Sequence, residues 1–445
     1  MRQRSITGPI ILVTIGLLFL LRNVRPDLLN FGVIGQYWPL LLIAAGIIGL
    51  IEVLAHAGRG TGLPPRPLGG GWLVWIVLLC IFIGVFGRRN NLRWDRFDSG
   101  GVSVFGSDYD YDVNATASAE GVKRVVLDNL RGNLSIKGED TGDVRVTGRK
   151  TVRTFRHNEA DRADRESPVR IERQGDQLFI RTAEPRGQRS RITEDLDITL
   201  PGDVNLESHG RTGDLSIDDI EGEVSISAGR GDIRLNHIGK DVKIDASRGG
   251  LIRAVDLKSN FELQGRGSDI QLENIAGIVT INGEYSGTLE FRALAKPLRF
   301  QSSRTEFHAE AVPGSITMDL GDLKMSNVAG PVRFQTSWGR DIEATDITNA
   351  LDLSVDRGDV EVTATKGPLP KIDIRTRTGD IVLTLPDRAP FELRASTSQG
   401  EVENEYGAPL RTETSGRSGS ITGQTGTGPE IIAVTDRGTV SVKKG

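Results

Sequence analysis

The feature that most constrains this chain is a phrase that keeps returning: a glycine turn, often Gly-Asp, followed by about five residues in which alternate positions are aliphatic. It reads Gly132-Asn133-Leu134-Ser135-Ile136, Gly213-Asp214-Leu215-Ser216-Ile217, Gly231-Asp232-Ile233-Arg234-Leu235, Gly358-Asp359-Val360-Glu361-Val362, Gly379-Asp380-Ile381-Val382-Leu383 and Gly438-Thr439-Val440-Ser441-Val442. Between Gly213 and Gly287 the turn glycines fall at 213, 222, 231, 239, 249, 267, 277 and 287, a step of 8 to 10 residues with one position skipped. The later copies stand at 339, 358, 379, 400, 419 and 438, a step of about 19 to 21. The unit is a coil of about 20 residues carrying two short strands, each alternating inward aliphatic and outward polar side chains. Glycine serves where the backbone turns with positive φ, and Asp or Asn can brace such a turn with its own side chain.

One coil cannot bury its aliphatic face, but stacked coils make a continuous core and pair their backbones along the stack. The expected fold class is an all-β repeat, a β-solenoid. Residues from Asn205 to Val442 give room for roughly 12 coils, a rod on the order of 55 to 60 Å at the usual strand spacing. A pair of β-sandwiches would need strands of more varied length and longer crossovers. Upstream, strands are expected at 124–128, 134–137, 144–147, 169–173, 178–181 and 195–200, less regularly spaced, with the charge-dense run 157–166 as a solvated loop or short helix. Terminal repeats of solenoids are atypical because they shield the open core, so this region is expected to be the N-terminal cap.

The first 97 residues are different. Three apolar runs, 8–21, 38–54 and 72–87, lie close together, with Tyr37, Trp38, Trp72 and Trp75 suited to a membrane interface. No small-x-small cleavage site follows the first run, so it is expected to be retained. The chain therefore divides into a transmembrane helical region of about three helices (1–90), a linker (91–121), an irregular β N-terminal cap (122–205) and the β-solenoid (206–445). Residues 1–97 carry 10 basic and 3 acidic side chains, while the remainder carries 45 basic against 56 acidic. An acidic rod is poorly suited to nucleic acid, which needs clustered Lys or Arg. The single cysteine, Cys80, lies in the third apolar run, leaving neither a disulfide framework nor a zinc site.

Two resemblances follow. Gly8-Pro9-Ile10-Ile11-Leu12, Gly16-Leu17-Leu18-Phe19-Leu20-Leu21, Tyr37-Trp38-Pro39-Leu40-Leu41-Leu42-Ile43 and Gly46-Ile47-Ile48 resemble the helical hairpin of LiaI/LiaF-type bacterial membrane proteins. That resemblance implies an association with envelope-stress responses, and the third apolar run departs from the pattern. Asp195-Leu196-Asp197-Ile198-Thr199-Leu200-Pro201, Asn205-Leu206-Glu207 and the chain of Gly-Asp turns are similar to the putative-adhesin family of bacterial β-solenoid domains. The family offers no catalytic residues to carry over. Its members imply an external solenoid, whereas Lys and Arg flanking the apolar runs count six inside to four outside for a cytoplasmic one. The external or periplasmic placement is the reading adopted.

Repeated structural residues imitate functional motifs. Arg230-Gly231-Asp232 and Arg357-Gly358-Asp359 look like integrin ligands, yet both fall on the repeat turn, where Arg211, Arg248 and Arg266 also precede glycine. Asp214, Asp232, Asp322, Asp359 and Asp380 suggest a stacked acidic ladder for Ca²⁺, but the denser Gly-Gly-x-Gly-x-Asp pattern is absent. The five histidines, His56, His157, His209, His237 and His308, show no ligand spacing, and no nucleophile elbow or phosphate loop occurs. The wider intervals near 155–168, 292–315 and 363–371 are where loops could project.

The expected function is thus a membrane-anchored, structural or adhesin-like binding module at the bacterial cell envelope. The alternative is an accessory regulator of an envelope-stress signalling system, with a glycan-acting enzyme third. No catalytic, cofactor-binding or metal residue is assigned, no cofactor is expected, and the chain is not read as an enzyme. The expected partners are the lipid bilayer and an envelope polymer or membrane signalling protein, not nucleic acid. The expected location is the bacterial cytoplasmic membrane, multi-pass.

Overall fold

The structure, a computed structural model, describes residues 106–128, 131–182, 191–210 and 212–445, which lie in one compact unit, Val102–Gly445. The three apolar runs, the expected transmembrane region 1–90 and residues 91–105 of the expected linker lie outside the described residues. Among the described residues no helix is long and apolar enough to cross a membrane.

Alternation dictates the coil. In Leu134–Glu139 and Leu298–Gln301 every second side chain is buried and its neighbours are exposed. On one face of the stack Leu206, Val224, Val242, Phe261, Val279 and Leu298 lie side by side in parallel register. On the other, Leu215, Ile233, Ile252, Ile270 and Leu289 do the same. Successive coils therefore repeat every 18 or 19 residues here. The strands Val224–Ile238 and Val242–Leu257 pass through the corner without a break and join the two faces. Between the faces runs one core of Ile, Val, Leu and Phe, each side chain contributing roughly 1.5 to 3 kcal/mol on burial.

Along the first face, strands from Asn205–Gly210 to Glu392–Gln399 form twelve layers, but the chain does not climb them in order. At the wide interval near 292–315, coiling gives way to hairpins. Thr305–Ala309 pairs antiparallel with Leu298–Gln301, and Val312–Met318 pairs antiparallel with both Leu289–Leu294 and Asp322–Ser326. Phe291, Phe300, Phe307 and Phe334 are all buried at this reversal, with Phe307 edge-on to Phe334 at 5.9 Å between ring centroids. Parallel coiling resumes at Val332–Gly339.

Both ends of the stack are interleaved. The coil Arg124–Asp128 and Leu134–Glu139 sits between Gln177–Thr182 with Arg191–Pro201 on one side and Asn205–Gly210 with Leu215–Ile220 on the other. Residues 122–205, expected as an irregular cap, thus contribute two in-register coils. At the other end Glu430–Arg437 slots between Lys371–Thr378 and Glu392–Gln399. Gly419, expected to be a repeat turn, instead lies in Ser418–Gln424, which runs antiparallel to Glu392–Gln399.

Capping at the first end comes from Ser107–Ser118, inside the segment expected to be linker, and Asp143–Thr154, with which it pairs antiparallel. The run 157–166 is a helix, α1 (His157–Glu166), whose Ala160 and Ala163 are buried against Val152. Ser107–Ser118 ends the second face with Asp108 and Asp110 paired outward to Arg153 and Arg149, a charged edge that discourages pairing with other chains.

Candidate functional site

The Gly-Asp turn is a device between coils. Gly213 and Gly231 have φ of 129° and 128°, and a Cβ on either would strike the carbonyl oxygen of the glycine in the neighbouring coil, Gly132 and Gly213 respectively. The Asp or Asn at the turn directs its side chain toward the next coil. Asn133 Oδ1 accepts the N–H of Asp214 at 3.1 Å, Asp214 Oδ1 that of Asp232 at 3.0 Å, and Asp232 Oδ1 that of Leu251 at 3.0 Å. Beyond the reversal the ladder resumes: Asp341 Oδ1 takes Asp359 N–H, Asp359 takes Asp380, and Asp380 takes Thr439, at 2.9, 2.8 and 2.7 Å.

Both Arg-Gly-Asp copies lie in these ladders, with Asp232 and Asp359 engaged by backbone. Asp322 stands apart from its expected partners: its own N–H donates to Asp319 Oδ1 at 2.8 Å, which, with Gly321 N–H, holds the Asp319 carboxyl below its ordinary range. Among the described residues no group of three or more His, Cys, Asp or Glu side chains is arranged to hold a metal ion.

A second column escaped the sequence reading. Asp219, His237, Asp256 and Asn274 are left-handed, with φ between 53° and 62°, one per coil at the far end of the second face. Asp, Asn and His tolerate that region best among non-glycine residues. His237 lies 3.3 Å from both Asp219 and Asp256, and Asn274 donates to Asp256.

The outward positions of the first face supply the candidate site. Glu207, Ser225, Lys243, Glu262, Thr280, Arg299, His308, Arg333, Asp352 and Asp373 form one in-register column. Beside it runs an amide-rich column with Gln264, Asn282, Gln301, Glu306 and Gln335. Three open clefts of about 770, 810 and 650 Å³ follow these columns. The first two share Thr280 and Arg299, and the last two share Gln301 and Glu306, so together they form one groove. Each amide offers both donors and an acceptor, repeated at the strand spacing of about 4.8 Å. Such a lining matches an extended ligand of repeating polar units.

At the capped end, Lys150 is almost fully buried and its Nζ meets the carboxylate of Asp164 at 2.6 Å and the carbonyl oxygens of Asp164 and Ser167 at 3.0 and 2.8 Å. It satisfies the last carbonyls of α1, the end of a helix that favours a cation. Glu194 is also buried, and burial pushes its carboxyl above the ordinary value despite the N–H of Arg131 and the charge of Lys150. Lys150 and Glu194 stand opposite each other in the antiparallel pairing of Asp143–Thr154 with Arg191–Pro201.

The sequence profile of the Toastrack DUF4097 family matches residues 106–443, and that of the LiaI-LiaF-like transmembrane region matches residues 6–50. Among solved structures, a putative cell adhesion protein from Clostridium sporogenes is 10% identical with a TM-score of 0.19, covering 76% of this chain and 100% of that one. A putative adhesin from Parabacteroides distasonis is 12% identical with a TM-score of 0.23, covering 76% and 97%. A putative adhesin from Bacteroides fragilis is 10% identical with a TM-score of 0.19, covering 75% and 97%. No curated protein matches the chain.

Proposed function

This chain belongs to the Toastrack DUF4097 family, and we propose that it is a membrane-anchored β-solenoid acting as an adhesin-like binding module at the bacterial cell envelope. The observation that carries the reading is the continuous groove along the first face, from Arg124 at one end to Asp436 at the other. A groove of this length, lined by in-register amides and charges, favours an extended polymer over a compact ligand. The match of residues 6–50 to a LiaI-LiaF-like transmembrane region supports the anchor, and the three apolar runs support a multi-pass insertion in the cytoplasmic membrane. In this reading the solenoid stands on the external or periplasmic side.

A reporter fused at Gly445 that works only outside the cytoplasm tests that placement. Activity is the expected outcome, and a silent reporter beside an active cytoplasmic one would exclude adhesion. The same transmembrane match favours a second reading, an accessory regulator of envelope-stress signalling in which the helices contact a sensor. Co-purification with a histidine kinase, without polymer binding, would select it.

A further inference from the structure

We propose that the glycine-turn corner of the stack carries a second binding site, a file of arginines that takes an acidic polysaccharide. The proposal names a ligand class for the binding module inferred above and rests on that reading.

One position before the turn glycine, or at the equivalent place, stand Arg230, Arg248, Arg266, Arg357 and Arg437. Arg230 is in register with Arg248, and Arg357 and Arg437 each pair with Thr378 between them. All five side chains are exposed. Arg230, Arg248, Arg357 and Arg437 have no ion-pair or side-chain hydrogen-bond partner among the described residues, while Arg266 stands in register with Glu284, whose carboxyl its charge helps to hold down. On the faces, by contrast, Arg234 pairs with Asp232 at 2.8 Å, Arg333 with Asp352 at 3.2 Å and Arg375 with Asp373 at 3.0 Å. The acids of the same turns, Asp214, Asp232, Asp359 and Asp380, each have an oxygen committed to the backbone of the next coil. Glu284 interrupts the file, and its carboxyl is held below its ordinary value chiefly by the N–H of Ser303 at 2.7 Å.

The fold does not require arginine here. Thr212, Thr378 and Gln399 occupy equivalent places in other coils with the same backbone pairing. Composition does not force it either, since the chain beyond residue 97 is net acidic. An arginine fork matches a carboxylate in plane and charge. Arg230 and Arg248, in adjacent coils, set their forks about 4.8 Å apart, close to the length of one sugar ring, while Arg357 and Arg437 stand two strand spacings apart on either side of Thr378. A chain with one carboxylate per sugar can therefore meet neighbouring arginines in the first run and every second coil in the other. Trp338, next to Gly339, which is in register with Arg357, is 44% exposed with the Arg304 guanidinium 4.6 Å from its ring centroid. An exposed indole beside cations suits the apolar face of a sugar. Nucleic acid fits less well: single strands are held by several exposed stacking aromatics, and among the described residues of this corner Trp338 is the largely exposed one, Tyr285 being partly buried.

The test measures binding of the full chain in mild detergent to polygalacturonate, to neutral dextran and to an oligothymidylate. The expected result is salt-sensitive binding of polygalacturonate above the other two, weakened about tenfold in R230Q/R248Q/R266Q and weakened also in Trp338→Ala. Unchanged melting of these variants confirms that surface binding alone was altered. Equal binding by the triple variant, tighter binding of oligothymidylate, or no binding of polygalacturonate would overturn the proposal. Retention of a polymer that survives the triple variant but fails in R299Q/R333Q would overturn the arginine file while leaving the groove reading standing. Binding of no envelope polymer by any form would remove both.

Discussion

Replacing Gly231 by alanine tests the physical meaning of the repeat. The φ of 128° lies in a region that L residues adopt only at a cost of about 1 to 3 kcal/mol. The added Cβ would also meet the Gly213 carbonyl oxygen, so the coil must move away from its neighbour. That movement breaks the bond from Gly213 N–H to Arg230 O and the bond from Asp232 N–H to Asp214 Oδ1, both 3.0 Å. At roughly 1 kcal/mol each, the total loss is about 3 to 5 kcal/mol. Asp232→Ala removes only one backbone bond and an exposed ion pair with Arg234, a loss of about 1 kcal/mol. Arg230→Ala should stay within about 0.5 kcal/mol of wild type. Urea unfolding of the three variants, followed by far-ultraviolet circular dichroism, gives the ranking. A Gly231→Ala protein as stable as Arg230→Ala would refute the steric account of the glycine column.

Lys150→Met leaves the Asp164 carboxylate and two helix-end carbonyls without their cation, a loss of about 3 kcal/mol, and limited proteolysis should then cut within 157–166. The Glu194 carboxyl is raised in the folded chain, so wild type loses stability as pH climbs from about 4.5 through the raised value. Glu194→Gln does not titrate, and its melting temperature should match wild type near pH 4 and exceed it as the pH rises, by a margin that stops growing once the raised value is passed. Deleting residues 430–445 withdraws a coil from between two others, and hydrogen exchange should then quicken across 371–404, whereas loss of a terminal coil would leave that region protected.

Much of the architecture was legible because it follows from period and turn chemistry. Leu215, Ile217, Ile233 and Leu235 alternate with polar residues and lie in the core as alternation requires. What escaped was anything that leaves the alternation unchanged. The hairpin turn at Ser302, Ser303 and Arg304 reverses the chain while Phe300 and Phe307 keep the inward period on either side. The insertion of Glu430–Arg437 between earlier coils is equally silent, since every coil edge offers the same backbone donors and acceptors. Asp219, His237 and Asp256 carry no signal in the sequence because a left-handed φ has no period of its own.

The groove was legible only as a set of outward positions. Lys243 and Glu262, or Gln301 and Glu306, become neighbours through register rather than spacing. The arginines of the corner are visible in the sequence, where the repeat turn accounts for them; which of them face an acid, as Arg266 faces Glu284, is decided by register between coils.

The central claim, that the first face of the solenoid holds an extended envelope polymer, is tested most directly by co-sedimentation of the full chain with purified bacterial envelope polymers. Wild type should sediment with polymer, R299Q/R333Q should be retained about tenfold less, and Asp232→Ala should be retained as wild type. Wild-type protein left in the supernatant, or undiminished retention of R299Q/R333Q, would contradict it.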